Sequence, residues 1–176
     1  MDKLELKHIA PYVLHKVKGE YESPMAGRKV VGEMTGISTN SSYECVDMVS
    51  LDLIDMIHIE DVKLFLRPLS DLTKEIEVNG NKFIPIRKLY DIVTGCEWSN
   101  TKMLIDGSGI GEWWTGLGSK HFGYNSEKQY FYHLGCDLDY KVKYQLTLFN
   151  KLREWHFDVD ELIEKDLAID INTLKQ

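Results

Sequence analysis

The chain has 176 residues, is 43% hydrophobic, and so can bury enough apolar surface for one stable core. Its formal net charge of -7 argues against broad binding to a phosphate backbone, which needs clustered Lys and Arg, while leaving room for a local basic patch. Three cysteines, Cys45, Cys96 and Cys136, are far apart, odd in number and form no CxxC pair, which fits free thiols in a reducing compartment.

The opening "MDKLELKHIAPYVL" spreads charges through an apolar background and has no long apolar run. It reads as neither a secretory signal nor a membrane anchor, and the expected compartment is the cytoplasm. Within it, "LELKHIAPYVL" predicts a short helix that stops near Pro11. "VLHKVKGEY" and "RKVVGEMTGI" predict two strands, and the turn residues of "ESPMAG" between them predict a hairpin. "YECVDMV" alternates as a third strand, and "IHIEDVKLFLRPL" reads as a fourth that ends at Pro68. In "SDLTKEI", Ser70 or Asp71 can cap a short helix. Asn79-Gly80 is a strong local turn signal. In "PIRKLYDIV", Ile86, Leu89, Tyr90 and Val93 fall at helical spacing, with Pro85 in the first turn and Gly95 as the stop.

"DGSGIGEWWTGLGSKHFGYNS" is the least regular stretch, with several glycines around the adjacent Trp113 and Trp114, and reads as a long loop with at most a short strand. "QLTLFNKLREWHF" turns helical again, with Leu148, Leu152 and Trp155 in one stripe widened by Phe149 and His156. A second helix is expected to start at Asp158, where Glu161 completes a capping-box-like pair and Val159, Leu162 and Ile163 supply the apolar spacing. The ending "LAIDI" alternates as a final strand. The expected fold is α+β, an N-terminal mainly antiparallel sheet with helices concentrated in the C-terminal half. One domain over 1–176 is expected, with a sub-boundary near 95–107.

His156, Asp158 and Asp160 would share one face of an extended strand and could there hold a metal. Capping and the helix dipole already account for the two acids, so neither a metal nor another cofactor is expected. The glycines at 107, 109 and 111 do not give GxGxxG, and GxxxxGK[ST] is absent. His133 and Cys136 form half of a zinc pattern, but neither Cys96 nor His121 has a near partner to complete it. No GxSxG, HExxH or recognisable cysteine nucleophile occurs, which argues against an enzyme.

Two stretches, "LFLRPLSDLTKEIEVNGNKFIPI" and "WHFDVDELIEKDLAIDINTL", resemble a group of small proteins found on phages and prophages of Bacteroidota. "LRPLSDLT" and "LAIDINTL" carry most of the resemblance, and the two stretches cover about a quarter of the chain. The group brings no catalytic residues that map onto this sequence, and the Gly- and Trp-rich middle lies outside the shared pattern. The resemblance implies a non-enzymatic mobile-element protein that binds and inhibits a host defence protein or ribonucleoprotein complex. Its sharpest form is an anti-CRISPR inhibitor of an RNA-guided nuclease.

Two contact surfaces are expected: Trp113 and Trp114 as aromatic anchors, and Asp160, Glu161, Glu164 and Asp166 as the acidic outer face of the last helix. One rival is a small metal-dependent enzyme using His133, Cys136 or His156. Another is a single-stranded nucleic-acid binder using Trp113, Trp114, Lys120 and Lys128, which the acidic total argues against. No membrane partner is expected.

Overall fold

The computed structural model describes residues 3–39, 44–50, 53–95, 104–108, 112–117, 120–134 and 139–174; for those within 104–121 and 134–141 it describes the backbone alone. In chain order the first elements are α1 (Leu6–Ile9), β1 (Lys18–Ser23), β2 (Arg28–Thr39), β3 (Glu44–Ser50), β4 (Leu53–His58) and β5 (Val62–Leu66). There follow β6 (Ile76–Val78), β7 (Asn81–Phe83), α2 (Pro85–Thr94), β8 (Leu104–Ser108), β9 (Glu112–Leu117) and β10 (Lys120–Asn125). The last are β11 (Tyr130–Leu134), β12 (Asp139–Lys141), α3 (Gln145–Glu154) and β13 (Ala168–Asp170). The chain forms two compact units, Met1–Pro68 with Leu152–Gln176, and Leu69–Lys151. The expected sub-boundary near 95–107 falls within the second of them.

The first unit is built on a six-stranded sheet in the order β13-β5-β1-β2-β3-β4. Every pairing is antiparallel except β13 with β5. The turn residues of "ESPMAG" make the β1–β2 hairpin, with Tyr21 opposite Val30 and Gly19 opposite Gly32. Ile59–Asp61 form a 3-10 turn, and beyond it β5 pairs with the side of β1 away from β2. The single strand expected through "IHIEDVKLFLRPL" is therefore two strands. Pairing with β1 outweighs the continuous apolar run, because only a break at Ile59 lets Val62–Leu64 meet Gly19–Tyr21.

The sheet curls on itself. Asp55 on β4 accepts hydrogen bonds from Tyr21 Oη (3.1 Å) and Ser23 Oγ (2.7 Å) on β1, although β2 and β3 lie between those strands. The Gly19–Gly32 pair permits the curl, because a Cβ at Gly32 would come within 2.9 Å of the Tyr21 ring. Inside are Tyr12, Met34, Met48, Leu64 and Leu66, all essentially inaccessible to solvent. Each such side chain contributes about 2 kcal/mol by leaving water. α1 ends at Ile9, near Pro11 as expected, and the chain continues as a 3-10 turn, Ala10–His15, with the proline in its first turn, where no N–H is needed.

The second unit holds the β6–β7 hairpin and an antiparallel meander in the order β12-β11-β10-β9-β8. Asn79 (φ 51°) and Gly80 (φ 77°) both adopt the positive φ that a two-residue hairpin turn requires. α2 starts at Pro85 and ends at Gly95, which takes the left-handed conformation, as expected; Ile86, Leu89 and Tyr90 are its buried face. Leu69–Thr73, expected as a short helix, is a 3-10 turn. Phe122 and Tyr124 of β10, Phe131 of β11 and Phe149 of α3 form an aromatic cluster with centroids 4.8 to 5.7 Å apart in the closest pairs. Gln145 brackets Phe131, its Oε1 accepting from the backbone N–H (2.8 Å) and its Nε2 donating to the carbonyl (2.5 Å), as a neighbouring strand would.

Three expectations need correction. The Gly-rich stretch is not a long loop: β8, β9 and β10 run through it. Aromatic residues paired across strands override the glycines, a pairing invisible to local propensity. The last helix is absent: residues 159–167 form turns and a bend, and Glu161 (φ 58°) and Asp166 (φ 57°) adopt a left-handed backbone that an α-helix cannot contain. The chain is of mixed α and β structure with a mostly antiparallel six-stranded sheet, but its helices are not concentrated in the C-terminal half: α1 is near the start and α2 mid-chain. Among the described residues no helix is long and apolar enough to cross a membrane.

Candidate functional site

α3 ends at Glu154, and the chain turns through Trp155 and His156 so that Phe157 bridges Arg67 in parallel fashion. Arg67 N donates to the His156 carbonyl (2.7 Å), and Asp158 N donates to the Arg67 carbonyl (2.8 Å). Asp158 is buried, and its two carboxylate oxygens accept the N–H groups of Leu162 (2.8 Å) and Ile163 (2.7 Å). It therefore caps a turn rather than a helix. Burial pushes its carboxyl above the ordinary range, against the two N–H donors that favour the charge.

His156 has φ 62° and places Nε2 2.9 Å from the His15 carbonyl. A carbonyl only accepts, so Nε2 carries the proton. His156 and Asp158 are thus both committed to backbone partners. Among the described residues no group of three or more His, Cys, Asp or Glu side chains is placed to hold a metal ion.

Burial lowers the His156 pKa, with the charges of Arg67 and His15 acting in the same direction and Glu33 and the backbone bond opposing. The folded state therefore binds fewer protons than the unfolded one between the lowered pKa and about 6.5, the ordinary histidine value. Stability contributed by neutral His156 is complete above that window and is lost as pH falls through it. His156→Gln retains a donor and cannot titrate. Melting temperatures from pH 7 to pH 5 should fall more steeply for the wild type than for this variant; parallel curves would remove His156 as the cause.

The four acids expected on one helical face are spread over successive turns. Asp160 is half-buried, 3.8 Å from Arg153, and its carbonyl accepts from Lys165 Nζ. Asp166 is paired with Lys63 at 2.7 Å. Glu161 is half-buried and Glu164 is exposed. Trp113 and Trp114 lie on β9, opposite Tyr124 and Gly123 of β10 and opposite Gly107 and Asp106 of β8. Their side chains lie outside what is described. Lys120 opens β10, and Lys128 is exposed in the turn that follows it. His133 stacks on Tyr90 with centroids 6.2 Å apart, while Cys96 and Cys136 lie outside the described residues. Cys45 is a buried free thiol, 4.0 Å from Nδ1 of its cross-strand partner His58.

One feature was not anticipated from the sequence. A cleft of about 560 Å³ opens in the first unit where β4 and the 3-10 turn diverge from β1. Glu20, Glu22, Glu60 and Asp61 line it against Lys29 and Lys63. Lys29 pairs with Glu20 (2.8 Å), Lys63 pairs with Asp166 and Glu60 pairs with Lys3 (2.7 Å each), and neither Asp166 nor Lys3 is part of the lining, which leaves Glu22 and Asp61 in excess. The cleft is therefore acidic in balance, and Asp166, an expected contact residue, lies at its margin. The alternation "GEYES" signals that Glu20 and Glu22 share a strand face. Nothing local indicates that Glu60 and Asp61 come to face them. Comparison with family models, curated proteins and solved structures finds no match to this chain.

Proposed function

We propose that this chain is a non-enzymatic binding protein of the phage type its sequence resembles, and that it inhibits a host defence complex, with an RNA-guided nuclease as the sharpest case. The observation that carries the reading is the acidic cleft beside β4. Defence nucleases grip nucleic acid along basic surfaces, and an acidic module competes for such a surface while binding nucleic acid poorly itself. The net charge of -7 supports long-range steering toward that partner. Trp113 and Trp114 are the proposed aromatic anchors in addition to this electrostatic contact, and Asp160, Glu161, Glu164 and Asp166 add negative charge.

The test is cleavage inhibition. Purified chain added to an RNA-guided nuclease from a Bacteroidota host should block cleavage, and raising the salt from low to physiological concentration should slow association roughly tenfold. Undiminished cleavage, with no salt-dependent association to the nuclease with or without its guide, would overturn the reading for that complex class.

A further inference from the structure

Among the described residues β4 is the last strand of its sheet and pairs with β3 alone. Natural edge strands are usually guarded by proline, lysine or a bulge. Here two of the three outward side chains are apolar, the third being the exposed His58: Ile54 is 70% exposed and Met56 is 62% exposed, while Asp55 between them is 3% exposed and held by Tyr21 and Ser23. The inward anchor fixes the strand, so the edge is presented in one orientation. Met56 also lines the acidic cleft, which continues past His58 to Glu60 and Asp61 and faces Glu20 and Glu22.

From this juxtaposition we propose that the edge of β4 takes an extended basic segment of a partner protein as an added strand, with its apolar side chains on Ile54 and Met56 and its Lys or Arg side chains in the cleft. This rests on the binding reading above and names the chemistry of the partner segment. Main-chain pairing supplies affinity in such additions, and alternate side chains supply selectivity. The cleft supplies the selectivity here, since its four carboxylates outnumber its two lysines. A nucleic acid meets the wrong sign of charge in it. A second copy would bring the same acidic rim on a chain of charge -7 and would place like charges together.

The test uses the full chain and a labelled peptide of alternating lysine and valine, beside peptides with serine or glutamate in place of lysine. Fluorescence anisotropy at low salt should give binding roughly tenfold tighter for the lysine peptide than for the serine peptide, and weakest for the glutamate peptide. Backbone amides of Leu53–His58 should gain hydrogen-exchange protection on binding. Ile54→Lys should abolish the interaction, and Glu22→Lys with Asp61→Lys should erase the preference for lysine; both change exposed side chains, and circular dichroism checks that they fold. Equal binding of all three peptides overturns the assignment, as does protection that falls elsewhere. Protection of β4 that rises with protein concentration alone, with sedimentation as a dimer, assigns the edge to a second copy instead. If Ile54→Lys inhibits the nuclease as the wild type does, the inhibitor reading stands and the edge assignment fails. If neither inhibits, the inhibitor reading fails, while the peptide titration still decides the edge.

Discussion

Gly32→Val should destabilise the first unit by about 3 kcal/mol, at the upper end of what overpacking a strand costs. A Cβ at this position meets the Tyr21 ring at 2.9 Å and the Val49 carbonyl oxygen at 3.0 Å. The carbonyl belongs to β3 and cannot move without disturbing the sheet. The ring is buried, and its hydroxyl is tied to Asp55, so displacing it also leaves a buried carboxylate with one donor fewer. Gly36 provides the contrast. Its added Cβ would meet the Asp47 carboxylate at 2.6 Å, the far end of a flexible side chain beside a β-bulge, so Gly36→Ala should cost much less. Urea unfolding of both variants measures the difference. Equal midpoints would mean that the curl of the sheet does not depend on the close approach at Gly32.

Asp158→Ala is expected to cost about 2 kcal/mol, because two backbone N–H groups, those of Leu162 and Ile163, lose their side-chain acceptor in a place shielded from water. The loss is more than a solvent-exposed helix cap involves, since Leu162 belongs to the core of the first unit. Burial raises the Asp158 pKa. The folded state then holds its proton more tightly than the unfolded state. Stability from this group is therefore greatest below the ordinary carboxylate range, and falls as pH rises toward the raised pKa. The advantage of the wild type over Asp158→Ala should shrink across that interval. Denaturant midpoints of both proteins from acid to neutral pH test this; a difference that widens with pH would show that the two N–H bonds outweigh burial.

The same residue shows how far local reading reaches. Asp158 is recognisable from its neighbours as a capping acid, and it does cap, through oxygens that take two N–H groups four and five residues on. What it caps is a series of turns. The helical spacing of Val159, Leu162 and Ile163 belongs to turns, in which all three are buried or half-buried. The period could not reveal that Glu161 and Asp166 adopt positive φ. The acids assigned to one helical face were accordingly placed on a surface that does not exist in that form.

Features whose cause lies within a few residues are legible in the order of residues alone. Asn79-Gly80 accepts positive φ at both turn positions, Pro85 needs no N–H partner in the first turn of α2, and Gly95 relieves the left-handed end of that helix. The buried stripe of Leu148, Leu152 and Trp155 follows from helical period alone. Long-range pairing sets the return of β5 to β1, the strands of the Gly-rich stretch, and the approach of Glu60 and Asp61 to Glu20 and Glu22. Strand pairing joins backbone groups tens of residues apart, and its stability comes from the partner strand and the core beneath it. A residue's own neighbours carry no record of which distant edge it will meet.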